Sequence, residues 1–419
     1  MESEEELNIL KSRMNSDNSI LTTVLEKDIK FFETKNFKEI EGLSKKNIGH
    51  SISVFPIHRS NIIIILGAKS NPRFPENTVH LFDLEKQESI GSINIKEDPF
   101  QKDDILTEIF LANTYLFVVS RYKIYMFDLM TLEHEFTFED VYGLEGGVSL
   151  SYSGHRIVLA YISNTNNSIV KINKIKIIKN GLEYSQRFLP TNFQKVQYIK
   201  ISSNYKYLAV ADSTGEKINV YSLSSYKIKK CLWRGSGNVK IISIFFDSDN
   251  NYIGLYSSQK TLHIYPISDL NIRRRQNFGG RRSNRPSISL NDKNKDIINE
   301  EDEEQMMAIK GKKKGNYGGF IKNMKKKLGN KYMESFARYK DDKVLFRDIV
   351  LMFFNEKNDV VIIDNTGTVL VVKFNKKSGG PCWLLENKLD KLEKPYIALY
   401  KICLLPNIQF YGVLKYSLS

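Results

Sequence analysis

Cysteine is scarce in this chain. Only Cys231, Cys382 and Cys403 occur among 419 residues, and no two stand at CxxC spacing. That excludes a disulfide framework and a structural zinc site, and it fits a reducing cytosol. Long apolar runs are also missing. Stretches such as Ile62 to Ala68 fall far short of the roughly 20 residues that a membrane-spanning helix needs. The opening Met1-Glu2-Ser3-Glu4-Glu5-Glu6 is acidic, unlike a signal or transit peptide. A soluble, cytoplasmic protein is expected. Catalytic signatures are absent too. The six histidines (His50, His58, His80, His134, His155 and His263) are scattered, with no HExxH spacing, and Gly-x-Ser-x-Gly does not occur. The glycine-rich patches Gly143-Leu144-Glu145-Gly146-Gly147 and Gly315-Asn316-Tyr317-Gly318-Gly319 lack the strand-to-helix setting of a phosphate loop. No catalysis, metal or cofactor is expected.

Aromatic and β-branched residues are plentiful, with 24 Phe and 22 Tyr in a chain that is 41% hydrophobic. That composition favours strands. Strand-like endings recur at Phe32, Phe82, Phe127, Ile172, Tyr221, Tyr265 and Phe374, in steps of 50, 45, 45, 49, 44 and 109 residues. Five of the six steps lie near the period of a propeller blade, roughly 40–45 residues. The last equals one blade plus an insert. Further apolar runs between the markers, such as Tyr115 to Val119 and Tyr207 to Val210, supply several short strands per period. The expected fold is all-β: a seven-bladed WD40-like β-propeller, whose closed ring leaves no open sheet edge. An open sandwich with chance spacing is the alternative. We place an acidic flexible tail at residues 1–15 and the propeller at 16–419, interrupted by an insert at 268–333. The Trp-Asp dipeptide of ordinary WD40 blades does not occur, so another device must hold the blades rigid.

Net charge is +14, and it is concentrated. Between Ser268 and Lys340 stand 19 Lys and Arg against 9 Asp and Glu, a net of +10, leaving +4 for the other 346 residues. A basic insert on a near-neutral body argues against a nucleic-acid partner, which would need a basic face on the fold. Within the insert Phe320, Ile321, Met324 and Leu328 share one helical face, with Lys322 and Lys325–Lys327 at other positions. That pattern suits a helix lying in an anionic membrane interface. A nuclear-localisation run, an RNA-contacting tail or a solvated lysine-rich linker reads the same residues without a membrane.

Leu232-Trp233-Arg234-Gly235 precedes two strands, Ile241–Phe245 and Thr261–Tyr265, the second opening with hydroxyls and a histidine. Taken singly, these are ordinary surface, turn and core residues. Together, an Arg-Gly turn, hydroxyls and a histidine make a compact set of anion ligands on a rigid scaffold. The region resembles the Arg-Arg-Gly signature of the PROPPIN family, the phosphoinositide-binding β-propellers of autophagy. Asn71-Pro72-Arg73-Phe74-Pro75-Glu76-Asn77-Thr78-Val79 resembles a segment of that family's WIPI three/four and yeast homologous-with-swollen-vacuole branch. Glu334-Ser335-Phe336-Ala337 is similar to the strand re-entering blade six.

The resemblance implies a seven-bladed propeller, no catalysis, and docking on membranes that carry phosphatidylinositol 3-phosphate or 3,5-bisphosphate. It implies two headgroup sites, at the rims of blades five and six, and a membrane-inserting loop in blade six. It further implies an autophagy lipid-transfer protein as partner, and we expect a monomer with no nucleic acid. Arg234, Ser257, Thr261 and His263 fall on the blade-six site, where Lys260 stands in place of a family glycine. The blade-five site departs from the pattern at Asn192, Asp212, Glu216, Asn219 and Trp233, so it is expected to be inactive. A WD40-type scaffold for protein or RNA that has lost lipid recognition is the alternative function.

Overall fold

The computed structural model describes residues 8–388 apart from 16–17, 46–47, 49–50, 58–59, 70, 72, 96–102, 180, 268–332, 336, 341–347 and 377–379. Every regular element among them is a β-strand, and the strands form seven sheets. In several sheets the second strand is almost wholly buried, as in Ile62–Leu66, Tyr115–Ser120, Tyr252–Ser257 and Val360–Asp364. A strand covered on both faces needs no alternation of polar and apolar residues. Outer strands such as Glu88–Asn94 are largely exposed and polar.

Seven clusters of buried side chains lie between adjacent sheets. Phe31 and Val24 of the first sheet pack with Ile63 and Ile65 of the second, and Ile64 and Leu66 of the second pack with Leu116 and Val118 of the third. The series continues around the molecule to Leu21 and Phe32 of the first sheet, which meet Val361 and Ile363 of the last. Full burial of each such side chain stabilises by about 1.5–3 kcal/mol. Innermost strands touch in the same cyclic order, from Ile9–Met14 through Ser53–Pro56, Leu106–Ala112, Val148–Ser153, Val196–Ile201, Ile241–Phe246 and Ile349–Phe354 back to Ile9–Met14. The ring is a seven-bladed propeller, as the sequence period implies. Six of the seven marker residues lie within the third strands of blades one to six, and Phe374 directly follows that of blade seven.

One boundary moves. Residues 9–14 fall in the stretch expected to be a flexible tail, yet they form the innermost strand of blade one, paired with Ile20–Leu25. Only Ile9 and Ser12 of this strand are buried. Lys11 and Arg13 interrupt the apolar pattern, which hides the strand from a hydrophobicity reading.

Blade rigidity without Trp-Asp comes partly from the hairpins that follow the innermost strands. Asn15 Oδ1 accepts from the Ser19 and Ile20 amides at 2.9 and 3.0 Å, Ser202 Oγ from Tyr207 N at 3.0 Å, Asp247 Oδ1 from Tyr252 N at 2.6 Å, and Asn355 Oδ1 from Asp359 N at 2.9 Å. Each side chain stands in for a backbone partner and locks its turn.

Blade six joins Ile241–Phe246, Tyr252–Ser257 and Thr261–Pro266 to an outer strand, Ala337–Lys340, that comes after the insert. On its way back the chain pairs Met333 and Glu334, parallel, with Leu232 and Trp233 of blade five. The insert therefore ends beside the Arg-Gly turn. Phe320, Ile321, Met324 and Leu328 lie outside the described residues.

Candidate functional site

Arg234 directly follows the blade-five strand Ile228–Trp233, and its side chain turns inward. It is 7% exposed. Nε donates to the Gly215 carbonyl at 2.6 Å and Nη2 to the Gly237 carbonyl at 2.6 Å. The Arg234 amide donates to the Glu216 carbonyl at 2.9 Å, and Glu216 Oε1 accepts from the Gly237 amide at 2.8 Å. Two turns, Asp212–Lys217 and Arg234–Gly237, are thereby clamped together. The clamp needs glycine at Gly215: its φ is +66° and a Cβ there would stand 2.4 Å from the Val239 carbonyl oxygen. Burial pulls the guanidinium down from its ordinary pKa, against the attraction of Tyr265, Glu216 and Asp212. Of the five N–H donors of an arginine, the clamp uses two.

The blade-six hairpin stands alongside. Ser257 pairs with Thr261 to close it, with Lys260 at φ +55° in the left-handed conformation that glycine adopts most readily. The turn keeps its shape and gains a charge. Ser257 is 0% exposed and its Oγ has no hydrogen-bond partner; Thr261 Oγ1 donates to the Gln259 carbonyl at 3.2 Å. His263, two residues along the same strand face, is 1% exposed with neither ring nitrogen partnered. Its ring stacks on Tyr265 at 6.3 Å, and the Tyr265 hydroxyl donates to the Trp233 carbonyl at 2.9 Å.

Arg338, which the sequence reading missed, is the direct cross-strand neighbour of His263 and is exposed. Only the pairing across the insert reveals it. Burial, then Arg338 and Arg234, lower the His263 pKa to about 3. The ring is thus neutral at pH 7, with one N–H to give and one lone pair. Two arginines thus act on the histidine, while Glu216 and Asp212 attract Arg234.

A pH dependence follows. The folded pKa of His263 lies below its ordinary 6.5, so on acidification the unfolded chain binds a proton that the folded chain refuses. This contribution is intact above about pH 6.5 and is lost as the pH falls towards 3, at up to about 1.4 kcal/mol per pH unit. His263→Gln should flatten the loss of stability between pH 6 and 4 in urea titrations. An unchanged slope would mean that the ring is not the buried neutral group described.

The residues of the blade-five counterpart are put to other uses. Asp212 accepts from Thr214 Oγ1 at 2.6 Å and from Lys217 N at 3.2 Å, and Glu216 holds the clamp. Asn219 is buried between Val210 and Cys231, Asn192 is exposed, and Trp233 lies half-buried between Lys217 and Glu334. None of them supplies a cation.

The chain is 22% identical to SVP1-like protein 2 of Pichia angusta over 218 residues and 23% identical to that of Debaryomyces hansenii over 299. It is 23% identical to Autophagy-related protein 18 of Scheffersomyces stipitis over 290. The Kluyveromyces lactis Hsv2 structure with complete loop 6CD superposes with a TM-score of 0.63 at 14% identity, covering 91% of this chain and 99% of that one. This chain is a PROPPIN homologue. A second PROPPIN structure, the complex of KlAtg21 with the coiled coil of AgAtg16, matches with a TM-score of 0.59 at 14% identity over 92% of this chain and 100% of that one. At such identities these structures speak for the fold alone. The matches cover 51%, 64% and 61% of this chain, and they span 57%, 67% and 50% of the three curated PROPPIN relatives, about half to two thirds of their length. No protein-family model matches the chain.

Proposed function

We propose that this propeller is a phosphoinositide effector. It binds phosphatidylinositol 3-phosphate or 3,5-bisphosphate through one rim site in blade six and brings autophagy machinery to membranes without catalysing a reaction. One observation carries the reading: Ser257 Oγ and both His263 nitrogens are buried without partners on one hairpin, and Arg234 and Arg338 act on the histidine. Orphaned buried polar groups are costly, and a phosphate would satisfy them while neutralising the arginines. The blade-five residues offer Asp212 and Glu216 to an anion, so a single headgroup per chain is expected. The basic insert, rooted beside Trp233, supplies further attraction to an anionic surface at about 1 kcal/mol per cation near it, with Phe320, Ile321, Met324 and Leu328 entering the interface. The partner is an autophagy protein, in keeping with the relatives' names.

The inward turn of Arg234 favours the second reading, a protein-binding scaffold that has lost lipid recognition. Vesicle flotation and calorimetry with the soluble inositol 1,3-bisphosphate headgroup separate the two. The effector binds vesicles only when they carry the phosphoinositide and takes up one headgroup per chain. A stoichiometry near two would revive the blade-five site, and no heat together with flotation indifferent to the lipid would leave the scaffold.

A further inference from the structure

The outer edge of blade four is built unlike those of its neighbours. Outer strands of blades two, three and five hold seven, five and six residues, and each is bulged against the third strand. The chain itself covers part of the edge in two blades: Met333–Glu334 pairs alongside blade five, and Gly380–Pro381 alongside blade six. Gly181–Pro190 has neither protection. It runs ten residues in unbroken register with Ile169–Ile178, and among the described residues no further strand pairs with it. A long, unbulged and uncovered edge is a template for another strand.

The ladder fixes which backbone groups that edge presents. The Thr191 amide donates to the Ser168 carbonyl at 3.0 Å, so these two residues form a hydrogen-bonded pair. Alternate pairs repeat this, and Leu189, Arg187, Ser185 and Glu183 spend their backbone groups on Ile169–Ile178. The amides and carbonyls of Leu182, Tyr184, Gln186 and Phe188 therefore point away from the sheet. Side chains at those four positions share the face towards blade three. Tyr184 stands 5.4 Å from Phe136 there, yet Phe136, Tyr184 and Phe188 keep 44%, 45% and 59% of their exposure. Glu183 and Arg187 lie on the opposite face. Glu183 Oε2 is 3.0 Å from Lys176 Nζ. Among the described residues Arg187 has no ion pair, and its guanidinium lies 5.6 Å from the centre of the Tyr226 ring.

This strand is complementary to itself. Laid antiparallel against a second copy with Ser185 opposite Ser185, each Glu183 faces an Arg187, and no other register achieves that. Leu182 then faces Phe188 and Tyr184 faces Gln186, so the outward backbone groups meet one another. Opposite charges and apolar–aromatic pairs across strands both stabilise a sheet. Glu183, Ser185 and Arg187 fall at non-hydrogen-bonded positions, where facing side chains stand closest, and about eight main-chain hydrogen bonds join the edges. We propose that two copies of this chain dimerise through Gly181–Pro190, their blade-four outer strands pairing about a two-fold axis at Ser185. The axis makes the contact closed, as a homodimer requires. The monomer expected from the family resemblance is then the dissociated state.

The test uses the full chain without lipid, so its outcome does not depend on the blade-six rim. Sedimentation equilibrium should show wild type passing between monomer and dimer. Glu183→Arg or Arg187→Glu alone should weaken the dimer at least tenfold, because like charges then face one another twice. Mixed in equal amounts, the two variants should associate within a fewfold of wild type, since every Arg again meets a Glu. Ser185→Cys should form a cross-linked dimer on mild oxidation well beyond wild type, which keeps Cys231, Cys382 and Cys403. Facing Cα atoms at such a position stand about 4.5 Å apart, within reach of a disulfide. Glu183→Cys, which faces Arg187 instead, should not cross-link. A wild type that stays monomeric at every soluble concentration would overturn the pairing and leave the edge to an extended peptide of another protein. Dimers indifferent to either charge reversal, or a mixture no better than the single variants, would overturn it equally.

Discussion

Glu108→Gln should cost the propeller about 3 kcal/mol of stability, the low end of what breaking one side of a buried ion pair costs. The side chains of Glu108, Lys11 and Arg13 keep 25%, 31% and 16% of their exposure, so solvent screens part of the loss. The amide can still accept the Ser53 hydroxyl, which isolates the charge as the thing removed. What is left is two cations of blade one, Lys11 and Arg13, with no counter-charge. Added salt should return part of the loss, and Lys11→Met in the same background should return more, because the two changes act on one cluster and will not add. The pH profile gives an independent check. Burial would raise the Glu108 pKa, but Arg13 and Lys11 outweigh it and hold the carboxyl below the ordinary glutamate range. Its contribution is therefore present above the unfolded pKa and fades as the pH falls through the folded one; Glu108→Gln lacks that decline. Urea midpoints across pH and salt measure all of this. A variant as stable as wild type would mean that the charge cluster does not help to hold the ring together.

That cluster also marks where the sequence stopped being legible. Third strands announce themselves at Phe32, Phe82 and Phe127 because both of their faces meet neighbouring blades and carry apolar residues. The first strand, Ile9–Met14, breaks that rule because its charged positions meet partners across the axis, contacts that exist only once seven blades have closed. A chain that lacks Trp-Asp can still be rigid through Asn15, Ser202, Asp247 and Asn355, residues that read locally as ordinary turn formers. The candidate site divides in the same way. Ser257, Thr261 and His263 are implied by the family resemblance, in register with Arg234, and the hairpin places them on one face. The direction of Arg234 is not so implied, because it depends on backbone carbonyls at Gly215 and Gly237. Arg338 stayed hidden behind the insert: its pairing with His263 crosses 74 intervening residues, and no local pattern encodes such a register.

Arg234→Ala and Arg338→Ala should part company, and the contrast decides what the Arg-Gly turn is for. Arg234→Ala removes two charge-assisted bonds and leaves the Gly215 and Gly237 carbonyls without them. At about 1.5–3 kcal/mol per bond to a charged group, with incomplete additivity, a loss of about 2–4 kcal/mol is expected. Headgroup affinity should fall by roughly a hundredfold, the worth of about 2.7 kcal/mol, as an arginine fork and the turn that aims it are lost together. Arg338 is exposed and cross-strand from His263, so Arg338→Ala should change stability by about 0.5 kcal/mol or less. Its headgroup affinity should nevertheless fall about tenfold, because the cation over His263 is gone. Removing Arg338 also relieves the pressure on the imidazole, so the His263 pKa should rise, which proton NMR of the ring can follow. Headgroup binding retained in Arg338→Ala, with Arg234→Ala losing affinity only in step with its unfolded fraction, would make the turn a structural clamp. The orphaned Ser257 and His263 would then need a different occupant.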